Sequence, residues 1–131
     1  MAEQNKLTPA EWEIMESIWG LKNQVSVRDV VEHAYPNGEK AYTTIQTIMN
    51  TLEKKGFLKC EKIGMVNFYK PTESREKIAK MELSQLLSRV FHGSVPALAN
   101  FLMDSDNISL KEIQTIKDML NQKEQQLRSE P

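Results

Sequence analysis

The chain has 131 residues, 40% of them hydrophobic, with 17 Lys/Arg against 18 Asp/Glu. That length fits one domain, or one with a small appendage, and the apolar content suffices for a packed core. A single cysteine, Cys60, excludes an internal disulfide and argues for a reducing compartment, and no apolar run approaches a membrane span.

The net charge of −1 hides an uneven distribution. Residues 1–39 carry three Lys/Arg against seven Asp/Glu, and residues 81–131 carry five against seven. Residues 40–80 carry nine against four, so the positive charge is concentrated in the middle of the chain. The opening MAEQNKLTPAEW has no apolar core of the kind a signal peptide needs, so a cytoplasmic protein without membrane insertion is expected.

Thr8-Pro9-Ala10-Glu11 is a helix start. Thr8 caps, Pro9 suits the first helical position, and Glu11 closes a capping box. Trp12, Met15, Ile18 and Trp19 line an inner face, with both tryptophans read as core. Glu11, Glu13 and Glu16 take the outer face, and Gly20 is a plausible terminator. Ser26-Val27-Arg28-Asp29 is a second, weaker capping box. It opens a short helix with Val27, Val30, Val31 and Ala34 inside, ending near the turn cluster Tyr35-Pro36-Asn37-Gly38. Val25 could add a short strand to a sheet further on.

Ala41 to Phe57 is the stretch the rest serves. Ile45, Ile48, Met49 and Leu52 recur at i, i+3, i+4 and i+7, one stripe of a core-packed helix. The opposite face carries Thr43, Thr47, Asn50 and Lys54, flanked by Gln46, Thr44 and Thr51. It holds no acid. A merely solvated face usually mixes Glu and Lys at i, i+4 spacing, whereas three Thr plus Asn and Gln lower helix propensity without gain. Short hydroxyls and amides approach base edges closely, so this face reads as a recognition helix. Gly56 fits a left-handed position after the helix. Alternation then gives a strand from Phe57 to Ile63, a turn at Gly64, a second strand from Met65 to Lys70, and a stop at Pro71. Two helices, a short turn and a hairpin bearing Lys59, Lys62 and Lys70 form a winged helix-turn-helix with the hairpin as wing.

After Pro71 the period returns to 3.6. Thr72 or Ser74 caps a long helix with Ile78, Met81, Leu83, Leu86, Leu87, Val90 and Phe91 on its apolar face. Gly93 follows as a cap candidate. Ser94 starts another helix with Val95, Leu98, Ala99 and Leu102 on one stripe. Ser109-Leu110-Lys111-Glu112 is a further capping box, opening a helix with Ile113, Ile116 and Leu120, whose pattern fades from Gln122 into a fraying tail. These helices carry more apolar surface than a lone appendage hides, so a homodimer is the physical expectation. A two-fold protein also matches a palindromic operator.

The run Tyr42-Thr43-Thr44-Ile45-Gln46-Thr47 with Leu52-Glu53-Lys54-Lys55-Gly56-Phe57-Leu58 resembles the penicillinase repressor family. Leu7 to Met15 resembles the family's first helix, and the likeness continues through Tyr69-Lys70-Pro71 and more weakly to about Leu120. The resemblance implies a bacterial transcriptional repressor: a winged-helix homodimer with a C-terminal dimerisation domain, binding dyad operators. In the beta-lactam branch of that family a membrane sensor protease pathway inactivates the repressor by cutting an Asn-Phe bond in the dimerisation domain. Asn100-Phe101 looks like that site, although Phe101 is equally suited to packing at a dimer core. Thr51 stands where many relatives carry a cation, and Gln46 replaces a frequent Lys or Arg, which bears on operator sequence and affinity. The copper-responsive branch has paired C-terminal cysteines, which this chain lacks.

The expected fold class is mainly α with a small β-hairpin wing: a winged-helix DNA-binding domain over 1–72 and a helical dimerisation domain over 73–131. Thr43, Gln46, Thr47 and Asn50 are expected at base edges, Asn and Gln pairing with adenine and the Thr methyls touching thymine. Lys40, Tyr42, Thr44, Thr51, Lys54 and Lys62 are expected on phosphates. The dimer interface is expected from Leu83, Leu86, Leu87, Val90, Phe91, Leu98, Phe101, Leu102, Ile113, Ile116 and Leu120. No catalytic residue, cofactor or metal is expected. His33 and His92 are far apart, each read as lying at a helix end, and Cys60 reads as a buried strand residue. Two other readings compete: a regulator sensing a small molecule through its C-terminal helices, and a winged helix that binds protein.

Overall fold

The computed structural model describes residues 6–130; residues 1–5, part of the stretch read for a signal peptide, and residue 131 lie outside the described residues. The elements run α1 (Pro9–Gly20), α2 (Val27–Ala34), α3 (Tyr42–Lys54), β1 (Leu58–Ile63), β2 (Val66–Pro71), α4 (Arg75–Phe91), α5 (Val95–Met103) and α6 (Leu110–Ser129). They form two compact units, the first closing at Leu83 and the second beginning at Ser84.

In the first unit the local signals act as expected. Thr8 and Glu11 form a reciprocal capping box on α1, and Ser26 and Asp29 form one on α2. Each box satisfies backbone N–H groups that the first helical turn leaves without partners. Gly56 (φ 90°) and Gly64 (φ 64°) take the left-handed turns after α3 and at the hairpin tip, where a Cβ is disfavoured. The stripes of α1, α2 and α3 converge on one core with Ile14, Ile18, Val30, Ile45, Met49 and Leu52 fully buried. Leu58 and Tyr69 close it from the hairpin and Ile78 from α4. Val25 pairs with Tyr69 in both directions, N···O 2.9 and 2.7 Å, and so adds a one-residue third strand.

Two expectations about α1 need correction. Trp12 and Trp19 pack only partly against the core, 5.6 Å apart, because each indole N–H reaches an acceptor: Glu82 at 2.7 Å and the Glu73 carbonyl at 3.0 Å. An indole buried without a partner would lose more than it gains. Glu11, assigned to the solvent face, is only 5% exposed. Its Oε1 accepts from the Thr8 backbone N–H at 2.8 Å and from Lys55 Nζ at 2.7 Å, which compensates its desolvation.

The second unit is packed differently. The chain leaves α4 through His92 (φ 52°) and Gly93 (φ 80°), with Gly93 N–H donating to the Leu87 carbonyl at 2.9 Å. Ser94 caps α5, and Ser109 with Glu112 caps α6. Phe91 and Phe101 meet edge to face, centroids 5.8 Å apart. No residue of α5 or α6 is buried. Contrary to the expected fraying from Gln122, α6 holds to Ser129, with Arg128 and Glu124 paired at i, i+4.

Candidate nucleic-acid interface

Helix α3 buries Ile45, Met49 and Leu52, which turns its opposite row outward. Thr43, Gln46, Thr47 and Asn50 all lie exposed along that row, one to two turns apart. Tyr42, Thr44 and Lys54 are exposed beside them, and Thr51 is half-buried. Thr47 donates its hydroxyl to the Thr43 carbonyl at 3.0 Å, and Thr51 donates to the Thr47 carbonyl at 3.0 Å. With those protons occupied, Thr47 and Thr51 present methyl groups and acceptor lone pairs. Ala41 gives the first turn of α3 no side-chain cap, and that turn holds no acid. The positive end of the helix is therefore open to an anion. Lys40 is half-buried, its ammonium 5.3 Å from the centre of the Tyr35 ring.

The wing adds charge by its register. Antiparallel pairing sets Lys59 opposite Lys70, Cys60 opposite Tyr69 and Lys62 opposite Asn67. Lys59 and Lys70 are both exposed. Like charges directly opposed across a hairpin destabilise it, and a polyanion relieves the cost. Lys62 shares the sheet face of Cys60 and Tyr69, nearer the tip, and is exposed.

Tyr69 joins wing to helix. Its phenol donates to Asn50 Oδ1 at 2.8 Å, while the ring is 1% exposed. Burial, then the neighbouring Cys60 thiol, pushes the phenol up to about 12, so it stays a donor across the working pH range. Sequence reasoning missed this residue. The alternation puts Tyr69 in the second strand, but nothing local links it to an amide 19 residues away.

The remaining singletons are structural. Ser17 Oγ and His33 Nδ1 lie 2.7 Å apart and join α1 to α2. His92 sits in the α4–α5 turn. Cys60, expected to be buried, is half-buried, and its thiol is pushed up by desolvation, which makes it a poorer nucleophile. Among the described residues no three His, Cys, Asp or Glu side chains group as metal ligands, and no helix is long and apolar enough to cross a membrane. In the second unit Asn100 and Phe101 lie exposed in α5, Phe101 by 67%. Leu86, Val90, Leu102, Ile113, Ile116 and Leu120 are exposed, and Leu87, Phe91 and Leu98 half-buried. Leu83, at the end of the first unit, is also exposed.

A helix-turn-helix whose second helix shows solvent a row of small polar groups, beside a lysine-bearing hairpin, defines a winged-helix DNA-binding regulator of transcription. The family model described as "Penicillinase repressor" matches residues 7–122, and the chain belongs to that family of repressors. It is 28% identical over 119 residues to the penicillinase repressor of Staphylococcus aureus, covering 91% of this chain and 94% of that one. It is 25% identical over 118 residues to the methicillin resistance regulatory protein MecI of Mammaliicoccus sciuri, covering 90% and 95%. A 16.5 kDa protein of Latilactobacillus sakei, named for its place in the ptsI 3′ region and as uncharacterized, is 34% identical over 128 residues, covering 94% and 84%.

Proposed function

We propose that this repressor acts in the cytoplasm as a homodimer on a palindromic operator, with α3 in the major groove of each half-site. The observation that carries this reading is the exposed row Thr43, Gln46, Thr47 and Asn50, backed directly by the buried stripe of the same helix. Those four side chains face base edges. Lys40, Tyr42, Thr44, Thr51, Lys54 and Lys62 hold phosphates and set the register. The functional division is a DNA-binding module ahead of a dimerisation module. Dimerisation is supported by two helices, α5 and α6, with no buried residue of their own, since a second copy supplies the missing apolar cover. Half-sites then lie about one helical turn apart.

Inactivation is proposed to follow from cleavage at Asn100-Phe101 by a membrane sensor protease pathway, and the names of the penicillinase-repressor and MecI relatives suggest an antibiotic-resistance setting. The bond lies inside α5, so a cut there divides the dimerisation surface and leaves each half-site contact to act alone. Mapping fragment masses after incubation with the sensor pathway tests this; a cut elsewhere, or none, removes it.

Selection of bound duplex from a random pool tests the main reading. A recovered dyad with half-sites one turn apart is the expected result, and an unenriched pool rejects it. Within that assay Lys54→Ala weakens binding to all sequences and lowers the salt slope by about one unit. An unchanged slope takes Lys54 out of the phosphate set. Thr47→Ala removes a methyl and a hydrogen-bond acceptor from the row, so it relaxes choice at one base pair and leaves the salt slope as it was.

A further inference from the structure

Asn50 does not meet DNA with a free amide. Its Oδ1 already accepts the Tyr69 phenol at 2.8 Å. The orientation follows from the surroundings. The phenol proton is deeply buried and needs an acceptor, and the thiol of Cys60, directly opposite in the hairpin, is a weak one. The carbonyl is the strong acceptor within reach, so it faces Tyr69, and no buried side-chain polar atom among the described residues lacks a partner. Asn50 is itself exposed, which leaves its amide nitrogen as the atom offered to a ligand.

An asparagine reads adenine by using both amide atoms, accepting from N6–H and donating to N7. Asn50 Oδ1 keeps a second lone pair, but the amide is held with that oxygen on the buried phenol, so the atom left for the groove is the nitrogen. The two N–H groups left to it match guanine, which shows two adjacent acceptors at N7 and O6; adenine shows one acceptor and a repelling amino group. We infer that Tyr69 is a positioning residue that sets base choice: by holding the Asn50 carbonyl on the buried phenol it offers the amide nitrogen to the groove, and Asn50 selects guanine over adenine. The inference rests on the proposed placement of α3 in the major groove. Tyr69 touches no base itself and acts through Asn50.

The test uses the full chain and duplexes carrying the recovered site. The base pair whose preference Asn50→Ala flattens is the one Asn50 reads. At that pair the wild-type chain favours guanine over adenine by roughly tenfold, the scale of one hydrogen bond gained or lost. Tyr69→Phe keeps the buried ring and frees the carbonyl, so the guanine preference collapses or reverses toward adenine at that pair alone. In the Asn50→Ala background Tyr69→Phe changes nothing further, as a merely structural role would not require. Asn50→Asp provides a second arm that leaves Tyr69 intact. Its carboxylate keeps the bond to the phenol and replaces the donor with an acceptor, so preference moves to a base with an amino group, cytosine or adenine.

The guanine-to-adenine ratio unchanged by Tyr69→Phe, or shifted equally with Asn50 absent, overturns the inference. So does Asn50→Ala flattening no position, or Asn50→Asp retaining guanine. An enriched dyad with any of these results overturns this inference alone. A pool that enriches no sequence with the wild-type chain rejects the operator reading and this one with it.

Discussion

A chain carrying Leu102→Asp and Leu120→Asp is expected to sediment as a monomer and to lose operator affinity by about 10²-fold or more, because linked half-sites bind that much more tightly than separate ones. Both leucines stand in solvent within the single chain, Leu102 by 51% and Leu120 by 62%. Charging an exposed position costs a monomer little. Between two copies the same carboxylates would be desolvated without partners and would repel one another. The thermal transition of the first unit should therefore stay in place while the proposed dimer is lost. Sedimentation and a gel shift with the recovered dyad check this together. A double variant that remains dimeric would move the interface away from α5 and α6.

Glu11→Ala is expected to destabilise the first unit by about 3 kcal/mol, the lower end for breaking a buried ion pair. Three things fail at once. Lys55 loses its 2.7 Å partner, the Thr8 N–H loses its acceptor, and a methyl-lined gap replaces a carboxylate that is 5% exposed. Lys55 also donates to the Lys6 carbonyl at 3.2 Å, which keeps part of its charge compensated and favours that lower end. Urea unfolding of the full chain measures the loss, and a change within about 0.5 kcal/mol would demote the pair to an ordinary surface contact. Replacing both residues together with apolar ones of similar size should recover most of the stability. The pair also fixes the C-terminal end of α3, since Lys55 follows it directly. Glu11→Ala is therefore expected to weaken DNA binding without a base-specific pattern.

The first unit was largely legible because its signals act over a few residues. Thr8 with Glu11 and Ser26 with Asp29 are capping pairs three residues apart. The α3 stripe and the glycine turns are equally local, and the outward row of α3 follows from the inward one by helical geometry. The second unit gave a correct set of helices and an ambiguous purpose. An apolar stripe reports that something covers it, and one chain holds no trace of what does.

What the chain determined by itself is the set of elements, the polar row that α3 turns outward and the concentration of lysines around the wing. Those depend on side-chain period, capping chemistry and the conformational freedom of glycine, all written within a turn or two of backbone. Packing in three dimensions decided the rest: Glu11 against Lys55 across 44 residues, Trp12 against Glu82 across 70, and the Tyr69 phenol on the Asn50 carbonyl. A polar group taken out of water accepts whichever partner the assembled fold brings within 3 Å or so, and periodicity carries no record of that choice.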